Sequence, residues 1–373
     1  MLAFLLAFVT SCNDPTPLAD ADADAAGVRQ PGVVLVRVPE RARLLATLPD
    51  PRREAWCPAA AGPTPRVVAG LGTADGETDN ASEPFAWAVM TDAAAALAGD
   101  GAAAQRLTLL LDRWARDNAL WRGDRRDINR NYALDRTLLP VIVGYAILRD
   151  RPDLPAATRQ RIETWLSRLV GSRLPPPEDS VTRRNNHHYL RGSVDIAWGA
   201  LVGDTRLFRA GVAAYRDALG ELRPDGSLPL ETARGARALW YQRHAIASLV
   251  VIAEIAANQG LDLYGLTENG RGIHDAIAFL LAGIQDPGRV APYAAANANP
   301  GVAGDPGDQD LGFLERRGHD RRYMAWVEIY AARFPGRPES RRLLELLAER
   351  DPDFRPMLDE YSGGATTCFF APP

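Results

Sequence analysis

Ten segments of this chain repeat apolar residues at intervals of three and four, the spacing of one helix face. They span residues 85–98, 105–121, 136–148, 156–169, 193–202, 205–219, 239–258, 273–283, 321–334 and 340–349. Strand-type alternation is nearly missing; a Val-rich run at 32–38 reads either as a lone strand or as an arm laid on the surface. The chain is therefore expected to be all-α. Pro-, Gly- and Asp-rich connections at 175–180, 223–226 and 287–307 separate the helices and fit antiparallel pairing. Periodicity alone leaves a bundle and an α/α toroid both open. A Gly-, Pro-, Thr- and Asp-rich stretch at 62–82 reads as a long loop, a place where function often resides.

With 46% hydrophobic residues in 373, the chain can bury a sizeable core. Its 43 basic residues against 47 acidic ones give a net charge of −4, and no basic block stands out, so nucleic acid is not an expected partner. All 43 cations are Arg. That removes Schiff-base lysine chemistry and the phosphate-binding lysine loop, and supplies planar forks suited to carboxylates. The cysteines are Cys12, Cys57 and Cys368, with no CxxC pair, which excludes thiolate zinc sites and thioredoxin-type redox. Cys12 closes a short apolar run, residues 1–12, that resembles a bacterial lipoprotein signal and is too short to span a membrane. The expected organisation is a signal at 1–12 with lipid on Cys12, a flexible tether at 13–32 and a single folded domain at 33–373. Membrane contact is then through the lipid alone, and the location periplasmic or cell-envelope. Cys57 and Cys368 remain as one disulfide or two buried thiols.

Two polar clusters carry the chemistry. Arg183-Arg184-Asn185-Asn186-His187-His188-Tyr189 directly precedes an apolar helix. Its plain reading is an Asn cap followed by exposed first-turn histidines; its functional reading is a set of donors for an anionic group at a helix start. Metal binding is the weaker functional reading, since adjacent histidines diverge and no carboxylate completes a set. In the second cluster, 225–244, a continuous helix would put Arg234, Arg237, Tyr241 and His244 at i, i+3, i+7 and i+10 on one face. A solvated charged face is the commoner fate of such residues, but arginines beside a tyrosine also stabilise its phenolate. Together the clusters fit β-elimination on a uronate. Guanidinium and amide donors neutralise the carboxylate, and His and Tyr move the protons at C5 and O4.

At these residues the chain resembles the mannuronate-specific alginate lyases, polysaccharide lyase family five. The matching elements are Asn185-Asn186-His187-His188-Tyr189, Asp225-Gly-Ser-Leu-Pro229 and Arg234-Gly-Ala-Arg237-Ala-Leu-Trp-Tyr241. The resemblance spans roughly residues 39–346 and is most specific between 184 and 263. It implies an incomplete α/α toroid, an anionic polysaccharide substrate (alginate or another polyuronate), and no metal or cofactor. It further implies Asn186 and Arg234 as carboxylate neutralisers, His187 as base or charge partner, and Tyr241 as acid and base. Asn185, Tyr189, Arg237 and His244 are the expected substrate contacts. Two departures stand out: the family's lid lysine is absent from 72–79, and its His-x-Tyr after the catalytic tyrosine is replaced by Gln242-Arg243-His244. The alternative function is a catalytically idle envelope protein that binds exopolysaccharide.

Overall fold

The periodic segments fold as helices, several of them started by a capping side chain that the sequence supplies locally. The computed structural model describes residues 16–17, 26–71, 82–297, 304–318 and 321–373. The first half contains β1 (Thr16–Pro17), α1 (Val38–Leu45), α2 (Asp50–Trp56), α3 (Glu83–Leu97), α4 (Gly101–Arg116), α5 (Ile128–Leu148) and α6 (Ala156–Gly171). Then come α7 (Asn186–Val202), α8 (Thr205–Gly220), the short α9 (Pro229–Thr232), α10 (Ala238–Asn258) and β2 (Leu261–Asp262). The chain ends with α11 (Ile273–Gln285), α12 (Ala291–Ala294), α13 (Trp326–Arg333), α14 (Pro338–Arg350), β3 (Leu358–Asp359), β4 (Gly364–Ala365) and α15 (Thr366–Phe370). Among the described residues no helix is long and apolar enough to cross a membrane.

Asp100, Asp127 and Asp204 accept first-turn N–H groups of α4, α5 and α8, satisfying donors that a helix start leaves open. The Asp127 cap starts α5 eight residues before its apolar pattern becomes visible, and α7 likewise begins at Asn186 rather than 193. In the other direction, α4 stops at Arg116 because Asn118 and Leu120 take positive φ, so the pattern at 105–121 overshoots.

α3, α5, α7, α10 and α13 pack side by side in chain order as an inner row. Outer helices back them: α4 on α3, α6 against α4 and α5, α8 on α7, α11 on α10, α14 on α13. The architecture is an incomplete α/α toroid. The two rows have different sequences for a physical reason. Outer α8 buries one stripe, Phe208, Val212, Tyr215 and Leu219 among them, and gives its other face to water. Inner α10 is enclosed, and every residue of it except Trp240 and Tyr241 is buried. Those two exceptions mark where the ring opens onto a cleft.

Both ends of the described body are tied down. The run at 32–38 is not a strand but an arm: Asn258 Nδ2 donates to the carbonyls of Val34 and Leu35 at 2.9 Å. The side chain of Gln259 accepts the N–H groups of Arg29 and Gln30 at 2.9 and 2.8 Å. Residues 26–32 therefore belong to the body, and the expected tether boundary at 32 does not hold; residues 1–12 lie outside the described residues. The C-terminal hairpin of β3 and β4, with α15, fills the space between α3, α5, α10 and α13. Buried Arg41 donates to the carbonyls of Thr367, Cys368 and Ala371, and burial lowers its pKa to about 10. Cys57 and Cys368 form a disulfide across 311 residues, which decides between the two expectations for them.

A crosslink closing so long a loop restricts the unfolded chain strongly, an effect of about 2–5 kcal/mol in proteins that keep such bonds. The Cys57→Ser/Cys368→Ser double variant should unfold at lower denaturant concentration than wild type. Dithiothreitol should lower the wild-type midpoint and leave the variant's unchanged.

Candidate active site

Three pieces of chain meet at the open end of α10: the first turn of α7, the loop carrying α9, and the start of α10. At α7 the Asn185 side chain accepts the His187 N–H at 3.0 Å, a helix cap that fixes where His187 emerges. The loop is set by Gly226, whose φ is +88°; a Cβ there would lie 2.2 Å from the Asp275 carbonyl, so only glycine fits. Asp225 accepts from Ser227 N at 3.0 Å and from its hydroxyl at 2.7 Å, tightening the turn. Gln242 then staples the loop to α10, accepting Leu228 N–H at 3.0 Å and donating to the Gly226 carbonyl at 3.1 Å. α10 has no capping side chain of its own. Gln309 takes that place from outside, accepting Leu239 N–H at 3.0 Å while donating to the carbonyls of Gly235 and Pro306.

These supports bring Arg234 over the ring of Tyr241, its guanidinium carbon 4.5 Å from the centroid. Arg234 also acts electrostatically on His187. Burial, and secondarily that arginine, lower the His187 pKa to about 4, so its imidazole is neutral at physiological pH. Tyr132 of α5 packs on His187 with ring centroids 4.3 Å apart, and its hydroxyl shares a 2.8 Å hydrogen bond with that of Tyr361. His244 lies against Tyr361 at 4.2 Å, with Nε2 buried and without a hydrogen-bond partner. Burial, then Arg243, holds His244 far below the ordinary histidine range. A cavity of about 400 Å³ opens beside His187, walled by Arg126, Tyr132, Arg184 and Arg191 among others. At the catalytic cluster the positive charge is that of Arg234, with the imidazoles of His187 and His244 uncharged.

Of the residues expected from sequence, Asn186, His187, Arg234, Tyr241 and His244 gather here. Asn185 is the cap just described, so its side chain is spent on the backbone. Tyr189 is buried and donates its hydroxyl to the Arg184 carbonyl at 2.8 Å, a structural bond rather than a substrate contact. The continuous helical face does not exist: Gly235–Arg237 is a 3₁₀ turn and the helix starts only at Ala238. Arg237 is consequently exposed at the rim, 3.6 Å from Asp310 and near Trp240. Residues 72–79, the expected lid segment, lie outside the described residues.

Sequence reading missed Tyr132, Tyr361 and Glu231. The Asp127 cap, and the Asp225 turn followed by Pro229 at the start of α9, were the available signals for Tyr132 and Glu231. Nothing local marks Tyr361, which reaches the site from the C-terminal hairpin. Glu231 is buried, accepts Asn186 N–H at 2.6 Å and its side-chain Nδ2 at 2.9 Å, and so joins the two clusters.

The sequence profile of the alginate lyase family matches residues 70–290. A polysaccharide lyase of Stenotrophomonas maltophilia strain K279a is 34% identical over 237 residues, covering 64% of this chain and 65% of that protein. The match therefore spans just under two thirds of that relative. Among solved structures, alginate lyase A1-III from Sphingomonas species A1 superposes with a TM-score of 0.75 at 28% identity, covering 94% of this chain and 99% of that one. A histidine-to-alanine variant of alginate lyase A1-III, complexed with tetrasaccharide, gives 0.77 at 26% identity, covering 95% and 99%.

The depressed basicity of His187 is directly measurable. Its ring resonances should titrate in NMR with a midpoint near 4, leaving the group neutral at pH 6. Arg234→Ala, which removes the neighbouring cation, should move that midpoint upward; burial keeps it below the reference of about 6.5.

Proposed function

Because the chain belongs to the alginate lyase family, we propose that it cleaves a uronate-containing polysaccharide, mannuronate-rich alginate first, by β-elimination. The observation that carries this reading is the place of Arg234, against the Tyr241 ring and within electrostatic reach of His187. A sugar carboxylate held by Arg234 and Asn186 loses its repulsive charge, which acidifies the C5 proton beside it. The base removes that proton, the electron pair left at C5 forms the C4=C5 double bond, the C4–O4 bond breaks, and O4 leaves with a proton. In mannuronate the C5 proton and O4 lie on one face. Tyr241 serves both transfers: neutral His187 first accepts the phenol proton, the phenolate takes the C5 proton, and the phenol so re-formed returns it to O4 as the C4–O4 bond breaks. Arg237 and His244 are the further substrate contacts. The names of the relatives, a polysaccharide lyase and an alginate lyase complexed with tetrasaccharide, agree with this substrate class.

The reading extends to location. Lipid on Cys12 tethers the protein in the periplasm or cell envelope, and the Cys57–Cys368 disulfide suits an oxidising compartment. Cys12→Ser should move the protein from the membrane fraction to the soluble one, which immunoblotting of fractionated cells would record.

The enzymatic test is absorbance of the unsaturated uronate product across polymannuronate, polyguluronate and glucuronan. Tyr241→Phe keeps the ring under Arg234 and removes only the hydroxyl, so turnover should fall by about 10²- to 10⁴-fold with substrate binding little changed. Arg234→Ala should weaken binding and turnover together. Wild-type turnover by a folded Tyr241→Phe protein would end the assignment.

A further inference from the structure

Asn186 is held in an orientation that conflicts with its expected task. Its Nδ2 donates to Glu231 Oε2 at 2.9 Å, its backbone N–H to Glu231 Oε1 at 2.6 Å, and its Oδ1 is buried with no hydrogen-bond partner. Asn186 and Glu231 are each 1% exposed. An ionised carboxylate only accepts, so it claims the amide NH2 and leaves the buried carbonyl oxygen as the end without a partner. A carbonyl oxygen offered in place of that NH2 repels a sugar carboxylate. A protonated Glu231 is different, because it accepts with one oxygen and donates with the other. Oε1 keeps the fixed backbone N–H, Oε2–H requires an acceptor, and a half-turn of the amide supplies Oδ1 to it while swinging the NH2 outward.

We propose that Glu231 is a positioning residue whose proton decides which end of the Asn186 amide faces the cleft, so that an anionic sugar is received together with a proton on Glu231. The charge balance agrees. Arg234 is the cation beside Glu231, and an arriving carboxylate takes over as its counter-charge while Glu231 becomes neutral. The other groups near Glu231 work in the same sense or are engaged elsewhere. Glu221 at the end of α8 disfavours a second negative charge, and Tyr189 of α7 is bonded to Arg184. Tyr241 of α10 lies under Arg234, while Tyr293 of α12 is bonded to Asp225 and stacked by Arg223. Burial raises the Glu231 pKa to about 7, against the pull of its hydrogen bonds from Asn186 and of Arg234, so its proton is exchangeable at physiological pH. Ligand and proton therefore favour each other's binding.

The inference rests on the uronate reading above, and its test has an arm that does not. In the ligand-free wild type, the Asn186 side-chain amide resonances should shift with the same midpoint as the Glu231 carboxyl carbon. An amide unmoved through that titration overturns the inference. In the second arm, a mannuronate tetrasaccharide is titrated calorimetrically into the Tyr241→Phe protein in buffers of differing ionisation heat. Above pH 7 binding should take up close to one proton, and affinity should fall by up to tenfold per pH unit. Glu231→Gln, whose amide donates to Oδ1 and accepts the backbone N–H at every pH, should abolish the uptake and flatten the pH dependence while retaining affinity. Unchanged proton uptake in the Gln variant overturns the inference. Failure of the wild type to bind or cleave any uronate would refute the substrate reading instead, and the amide titration would still decide the role of Glu231.

Discussion

One buried carboxylate joins the halves of this site. Glu231 reaches from the short α9 to the first turn of α7, where the helix leaves N–H groups open and its dipole favours negative charge. Through that contact the loop carrying Arg234 is fixed relative to His187, and through Gln242 the same loop is fixed relative to Tyr241. Without the carboxylate, the Asn186 N–H would be a buried donor with no acceptor, a defect costing about 1–3 kcal/mol. The cluster is thus held by polar bonds to backbone groups, with long enclosed helices supplying the rigid frame behind it.

What the sequence revealed follows the range of the forces involved. Helical periodicity is local, and segments such as 205–219 and 239–258 match α8 and α10 almost to the residue. Caps are nearly as local, which is why the plain reading of Asn185 as a helix cap is the one the structure realises. The Arg234 to His244 face failed because helix continuity was assumed through Gly235, whose φ of +52° interrupts it. Tyr361 was out of reach for another reason: it arrives beside Tyr132 from 229 residues away, and no periodicity encodes such a meeting. The asparagine-histidine and arginine-tyrosine elements were legible as chemistry; the carboxylate that connects them was read only as part of a string.

The electrostatic character of the cleft is unusually indifferent to pH on its cationic side. Its positive groups are arginines, which stay charged across the physiological pH range. His187 and His244 are kept neutral by burial and by neighbouring arginines. Two buried acids are raised to about 7 by burial, Glu231 in the site and Asp359 within electrostatic reach of Arg243.

The bond between Cys57 and Cys368 has a topological meaning beyond stability. It makes nearly the whole toroid a covalent circle, with Arg41 gripping the backbone beside the joint. A single peptide-bond cut anywhere between the two cysteines opens that circle without dividing the molecule. A nick in a surface loop then leaves one piece still folded around its cleft, and separation into fragments requires a second cut or a reductant.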